Sequence, residues 1–211
     1  MQEGNDAHSD REPLWAGEDP SAIPWADLVP DPLLMRWLVD HHCGCDAPGC
    51  RALKIGCGLG DDAEELARCG WHVTAIDASD TAVRWCRERF AGSPVEYVQA
   101  DIGSQAPPSW EGAFELVVAS QARPEALVAL SEQAHRRVAG LVAPGGTLLI
   151  LCRLRQPVEG AEAGGCAAAM DAVSALYTGL GLERAAVHEY VDPLDPTVRR
   201  GAIEFRAPDP R

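Results

Sequence analysis

The chain has 211 residues, 46% apolar and 24% charged, which suits one globular α/β domain with a real core and is too short for two. A formal net charge of −14, from 32 acids against 18 bases, repels phosphate backbones and argues against sequence-independent nucleic-acid binding. No apolar run reaches the roughly 20 residues of a membrane span, and Met1–His8 is too polar and acidic for a signal peptide, so the chain reads as cytoplasmic.

Residues 1–23 are acidic and proline-bearing, with little pattern, and read as an N-terminal arm; residues 24–211 read as a single domain. Asp31-Pro32 opens a helix with a capping acid and a first-turn proline. Leu33, Leu34, Trp37 and Leu38 give it an apolar stripe, and it ends near His41. Next comes His41-His42-Cys43-Gly44-Cys45-Asp46-Ala47-Pro48-Gly49-Cys50. Thiolates and imidazoles suit zinc, but no Cys-x2-Cys pair and no second half-site is present, so the expectation is a cysteine-rich loop without metal. Cys57, Cys69, Cys86, Cys152 and Cys166 read as small buried hydrophobes of a reducing compartment.

From residue 51 strands and helices alternate. Residues 51–56 are the apolar stretch of a buried strand, followed by Gly56-Cys57-Gly58-Leu59-Gly60 and a helix over Asp61–Gly70. Trp71–Asp77 is a second strand, and 79–91 an amphipathic helix with a serine cap. Val95–Ala100 is a third strand, Phe114–Ala119 a fourth, Pro124–Leu141 a long helix, and Thr147–Cys152 a fifth strand after a tight turn at Ala143–Gly146. Residues 166–180 read as a helix. Arg184–Val191 and Val198–Arg206 read as strands joined by a link too short for a crossover helix, so they pair antiparallel. The expected fold is α/β: a Rossmann-like, doubly wound sheet of about seven strands, five parallel plus a C-terminal antiparallel hairpin, with helices on both faces.

The glycines and Asp77 carry the functional signal. Three glycines let the backbone turn tightly and approach a ligand with no Cβ between them. Seventeen positions after Gly60, Asp77 ends the second strand where a ribose would lie. The first half of the chain therefore reads as a nucleoside site.

The chain resembles the Rossmann-like S-adenosylmethionine (SAM) dependent methyltransferases over residues 24–206. Ile55-Gly56-Cys57-Gly58-Leu59-Gly60 is similar to the first motif of that family, Asp77 to its ribose acid, Asp101-Ile102 to its adenine-contacting pair, and Leu141–Thr147 to its turn before strand five. The resemblance implies SAM as cofactor, held by Gly56, Cys57, Gly58, Gly60, Asp77, Ala78, Asp101, Ile102 and Ala119. Ile23-Pro24-Trp25-Ala26-Asp27-Leu28, a helix, and Gly-Cys-Gly-Leu-Gly-Asp-Asp62 further resemble the branch of thiopurine, thiol and halide methyltransferases. There an N-terminal tryptophan segment caps the substrate pocket, which would make Trp15, Trp25, Ser120, Gln121 and Arg153 substrate-facing. Lys54 stands where the wider family carries an acid, which this branch often lacks as well. Ala119–Pro124 and the Gly/Ala-rich 156–165 depart from the family pattern and leave the acceptor open.

The sulfonium of SAM activates its own methyl group, so the chain needs to supply positioning and not a nucleophile. No His or carboxylate is placed as an obligatory base: His72 starts a strand, His135 beside Arg136-Arg137 reads as a solvated helix face, and His188 lies in the hairpin. No catalytic residue is assigned, and a soft acceptor such as a thiol fits best. An O- or N-methyltransferase, or a SAM-binding protein without turnover, stay open as alternatives. A nicotinamide enzyme is disfavoured by the hairpin and by the lack of a Tyr-x3-Lys pair, since Tyr177 has Gly181 four positions on.

Overall fold

The computed structural model describes residues 28–42, 49–104, 106–121, 128–154, 165–193 and 199–209. The N-terminal arm, Trp15, Trp25, Cys43, Cys45 and the segment 155–164 lie outside them.

Helix α1 (Pro32–Asp40) begins as its sequence dictates: the Asp31 carboxylate accepts the Leu33 N–H at 2.8 Å, with proline in the first turn. Then follow β1 (Arg51–Ile55), α2 (Asp61–Arg68), β2 (His72–Asp77), α3 (Asp80–Arg89) and β3 (Glu96–Gln99). A 3₁₀ turn (Pro108–Trp110) precedes β4 (Phe114–Gln121), α4 (Glu132–Leu141), β5 (Val142–Leu154), α5 (Gly165–Gly179), β6 (Glu183–Val191) and β7 (Arg199–Arg206).

The seven strands form one sheet in the order β3-β2-β1-β4-β5-β7-β6. Strands β1 to β5 run parallel, and β7 lies antiparallel between β5 and β6. Side chains alternate across the sheet. Ala52, Val73, Ala75, Leu116, Val118, Leu149 and Leu151 pack against α1, α2 and α3. Leu53, Ile55, Val117, Leu148, Ile150 and Ile203 pack against α4 and α5. Both faces are covered, which is why the inner strands read as continuous apolar runs.

Four expectations need correction. The helix expected over Pro124–Leu141 is interrupted: Val128 is helical, 129–130 turn, and a new helix starts at Glu132, because the Ser131 hydroxyl caps the Ala134 N–H at 3.2 Å and its own backbone is extended. The turn at Ala143–Gly146 is a bulge inside a longer β5: Phe114 pairs with Val142 but Leu116 with Thr147. His135 is not solvated. It shares the inner face of α4 with Ala134 and Val138, is buried, and its Nδ1 meets the Tyr177 hydroxyl at 3.1 Å. Cys50, one of the three cysteines of the loop weighed for zinc, is disulfide-bonded, a pairing the sequence reading did not include, so its sulfur is closed to that metal set. Cys57, Cys69, Cys86 and Cys152 are in no disulfide.

Candidate active site

Strand β1 ends at the middle of the sheet, with Ile55 opposite Ile76 of β2 and Ala119 of β4. The chain must then turn within a few residues into α2, and Gly56, Gly58 and Gly60 all take positive φ, at 72°, 56° and 93°. A Cβ on Gly56 would lie 2.9 Å from the Ser120 carbonyl oxygen, and one on Gly60 2.7 Å from the Tyr97 hydroxyl. A Cβ on Gly58 would meet nothing within 4 Å, so the crest of the loop borders open space.

Side chains from β1 and α3 tie this loop down. Lys54 Nζ donates to the Gly56 carbonyl at 2.7 Å, Cys86 Sγ to the Gly58 carbonyl at 3.2 Å, and Arg89 Nη1 to the Leu59 carbonyl at 2.9 Å. The backbone adds Cys57 N–H to Ile76 O at 2.8 Å. Cys57 turns its side chain inward, 3.8 Å from the Cys86 sulfur, so it offers the crevice its backbone.

Asp77 ends β2 beside the loop and is half-buried. Its Oδ2 accepts the Gly58 N–H at 3.1 Å and its Oδ1 the Ser79 N–H at 3.0 Å. Two N–H groups fix the carboxylate and leave lone pairs on both oxygens. Half-buried Ala78 follows, its carbonyl accepting from Gln99 at 3.1 Å. Past β3, Asp101 Oδ1 caps the Gly103 N–H at 2.8 Å, and Arg137 Nη1 of α4 clamps the carbonyls of Ile102 at 2.6 Å and Gly103 at 2.8 Å. Ala119, Ser120 and Gln121 end β4, opposite Ile150, Leu151 and Cys152 of β5, and half-buried Arg153 follows on β5. The carboxyl edge of the parallel strands thus brings together Gly56, Cys57, Gly58, Gly60, Asp77, Ala78, Asp101, Ile102, Ala119, Ser120, Gln121 and Arg153. Trp15 and Trp25 lie outside the described residues.

Sequence reasoning missed a network of four charges. Lys54 sits on the central strand at 1% exposure, its Nζ 3.5 Å from Asp62 Oδ2. Asp62 Oδ1 accepts the Asp31 N–H at 2.8 Å, and its Oδ2 lies 3.4 Å from the Ser120 hydroxyl. Asp31 in turn pairs with Arg200 Nη1 of β7 at 2.9 Å. Burial raises the Asp31 carboxyl above its usual range, with Arg200 opposing. The visible signal was a lysine inside an apolar strand, Ala52-Leu53-Lys54-Ile55, where a buried charge demands an anion nearby. Its partner was hidden in the acidic first turn of α2.

That first turn also restricts the ligand. Asp61, Asp62 and Glu64 occupy the N-terminal turn of α2, with Asp61 held by two 2.7 Å contacts from Arg89. A pyrophosphate on this helix end would face these carboxylates, whereas a ligand carrying a cation would not be repelled.

Residues 52–146 match a family model described as a methyltransferase domain. An uncharacterized methyltransferase of Mycobacterium bovis is 36% identical over 99 residues, covering 47% of this chain and 48% of that protein. The ubiquinone biosynthesis O-methyltransferase of Xanthomonas campestris pv. campestris is 32% identical over 158 residues, 71% of this chain and 59% of its own length. The chain spans about half the length of the curated relatives it matches. The crystal structure of the N-methyltransferase NodS from Bradyrhizobium japonicum, in complex with S-adenosyl-L-homocysteine, superposes with a TM-score of 0.67 at 18% identity, covering 97% of this chain and 100% of that one. At that identity the likeness is one of fold. Residues 52–146 are thus similar to the methyltransferase-domain family, and the seven-stranded fold around them is one that a solved methyltransferase shares.

Proposed function

We propose that the protein is a SAM-dependent methyltransferase acting on a small molecule, with a thiol or similar soft nucleophile as acceptor. The observation that carries this reading is the glycine loop with Asp77 bonded to its crest at Gly58, at the carboxyl edge of a parallel sheet. The donor set fits a nucleoside joined to a cation: a fixed carboxylate for ribose hydroxyls, open space over Gly58, and an acidic helix start. Residues 24–211 are read as one methyltransferase domain with the acidic arm 1–23 before it.

In this reading the backbone of Gly56 to Gly60 cradles the amino-acid and ribose part, and Asp77 takes the ribose hydroxyls. Asp101 and Ile102 meet the adenine, with Ala78 and Ala119 as apolar walls. Bound SAM supplies a methyl group already activated by a sulfonium. The chain holds the acceptor in line with it, about 3 Å away, and keeps water out. Asp62, 3.4 Å from the Ser120 hydroxyl, and Asp31, whose N–H it accepts, are each tied to a cation and to a backbone N–H. Neither is free to act as a strong base, which favours an acceptor that is partly ionised unaided, such as a thiol of ordinary pKa about 8.5. Arg153, Ser120 and Gln121 face the acceptor, and Trp25 and Trp15 close over it, as in the thiol and halide branch. O- or N-methylation is the second reading, favoured by the names of the Xanthomonas and Bradyrhizobium proteins.

Calorimetry with S-adenosylhomocysteine and, separately, NAD tests the cofactor; a panel of thiols, iodide, catechols and amines with labelled SAM tests the acceptor. Binding of the first ligand alone and transfer to thiols are expected. NAD binding would overturn the reading, transfer to catechols or amines would move it to the second, and binding with no transfer at all would leave a SAM-binding protein without turnover.

A further inference from the structure

Two free thiols meet directly beneath the crest of the glycine loop. Cys57 lies in the loop itself, Cys86 is in α3, and their sulfurs are 3.8 Å apart, in van der Waals contact. Cys86 also donates to the Gly58 carbonyl at 3.2 Å, so it is one of the side chains that shape the loop. Both residues are buried, at 5% and 0% exposure. Neither takes part in the transfer chemistry above.

We infer that Cys57 and Cys86 form a redox modification site, a dithiol that closes to a disulfide and in doing so deforms the cofactor loop. A disulfide needs its sulfurs about 2.0 Å apart. Cys86 is embedded in a helix packed on the sheet, so Cys57 and its glycine neighbours supply most of the movement. The new bond also removes the S–H that Cys86 donates to Gly58, whose own N–H holds Asp77. The oxidant is a small-molecule disulfide. One protein thiolate attacks one of its sulfurs and releases one small thiol, leaving a mixed disulfide. The second protein thiolate then displaces the other small thiol. Two thiols of the chain are oxidised, one small disulfide is reduced to two thiols, and two protons leave with the products.

Contact with Cys86, then burial, raises the Cys57 thiol above its usual range. Attack therefore proceeds from openings of the loop, and a ligand that closes the loop slows it. The loss of affinity rests on the cofactor reading above; the covalent link does not.

The test uses the full chain with excess oxidised glutathione, digested with trypsin without reduction. Cuts after Lys54, Arg68, Arg84 and Arg87 leave Cys57 in Ile55–Arg68 and Cys86 in Trp85–Arg87, each peptide with a single cysteine. A link between these two peptides is expected, slower to form with S-adenosylhomocysteine present and reversed by dithiothreitol. Affinity for S-adenosylhomocysteine should fall about tenfold on oxidation, the equivalent of one or two hydrogen bonds. Glutathione on half-buried Cys69 with no link between the two peptides would overturn the site. C86S should bind equally before and after treatment; an equal fall in C86S would assign the effect to another thiol and overturn the switch. If the reduced chain binds no S-adenosylhomocysteine, the cofactor reading fails, and the peptide link alone then decides the site.

Discussion

A lysine at 1% exposure on the central strand must find anions close by, because an isolated buried ammonium is expensive. Lys54 finds the Asp62 carboxylate and the Gly56 carbonyl, so one side chain neutralises the start of α2 and orients the entrance to the glycine loop. Removing one partner of such a pair costs more than the pair contributes, since the other charge stays buried. Lys54→Met is therefore expected to cost about 3 kcal/mol of unfolding free energy. In a D62N background the cost should be smaller by at least about 1 kcal/mol, as a coupled pair requires. Urea unfolding of the four proteins measures this; additive costs would mean that the two side chains do not interact. The same residue marks the limit of sequence reading. Lys54 is conspicuous within its strand, but its nearest anion lies eight positions on, and the Arg200 that ends the network is 169 positions from Asp31.

Among the elements, α4 also reaches the site, at the turn after β3. Arg137 projects from it to two successive carbonyls of the turn after β3, the turn that carries Asp101. Arg137→Met should leave these carbonyls to water and weaken S-adenosylhomocysteine binding by about 1 kcal/mol, the scale of a charge-assisted bond at a partly exposed site. Arg137→Lys should recover part of the loss. Calorimetry on the two variants checks this, and equal affinity in R137M would show that the turn needs no clamp. The alternation of strands and helices was legible because the inner strands are short apolar runs and the helices carry capping residues, as Ser79 and Ser131 do. Two misreadings have local causes. Ser131 looked like helix interior until its hydroxyl proved to cap Ala134. His135 was judged by its neighbours Arg136 and Arg137, although the helical period groups it with Ala134 and Val138 on the inner face.

For the molecule as a whole, the network from β1 through α2 and α1 to β7 couples stability to pH. The folded pKa of Asp31 is raised above 3.8, by burial first and by Asp62, against Arg200 and the Leu33 N–H. A group raised on folding stabilises fully below its unfolded value, and that contribution is lost as pH rises through the folded value. Between about 3.8 and the raised value, Asp31 should therefore remove up to about 1.4 kcal/mol of stability per pH unit as pH increases. Asp31→Asn keeps a capping oxygen and cannot titrate, so its unfolding free energy should rise more with pH across this window than that of the wild type. Parallel curves in urea unfolding would show that Asp31 is not perturbed.

The whole account depends on Asp77 and the glycine loop forming a nucleoside site. Calorimetric titration of S-adenosylhomocysteine into the wild-type chain and D77A tests this most directly. Binding to the wild type, weakened in D77A by roughly 1–3 kcal/mol or about five- to 150-fold, is the expected result. Equal affinity in the two proteins, or no binding to the wild type, would contradict it.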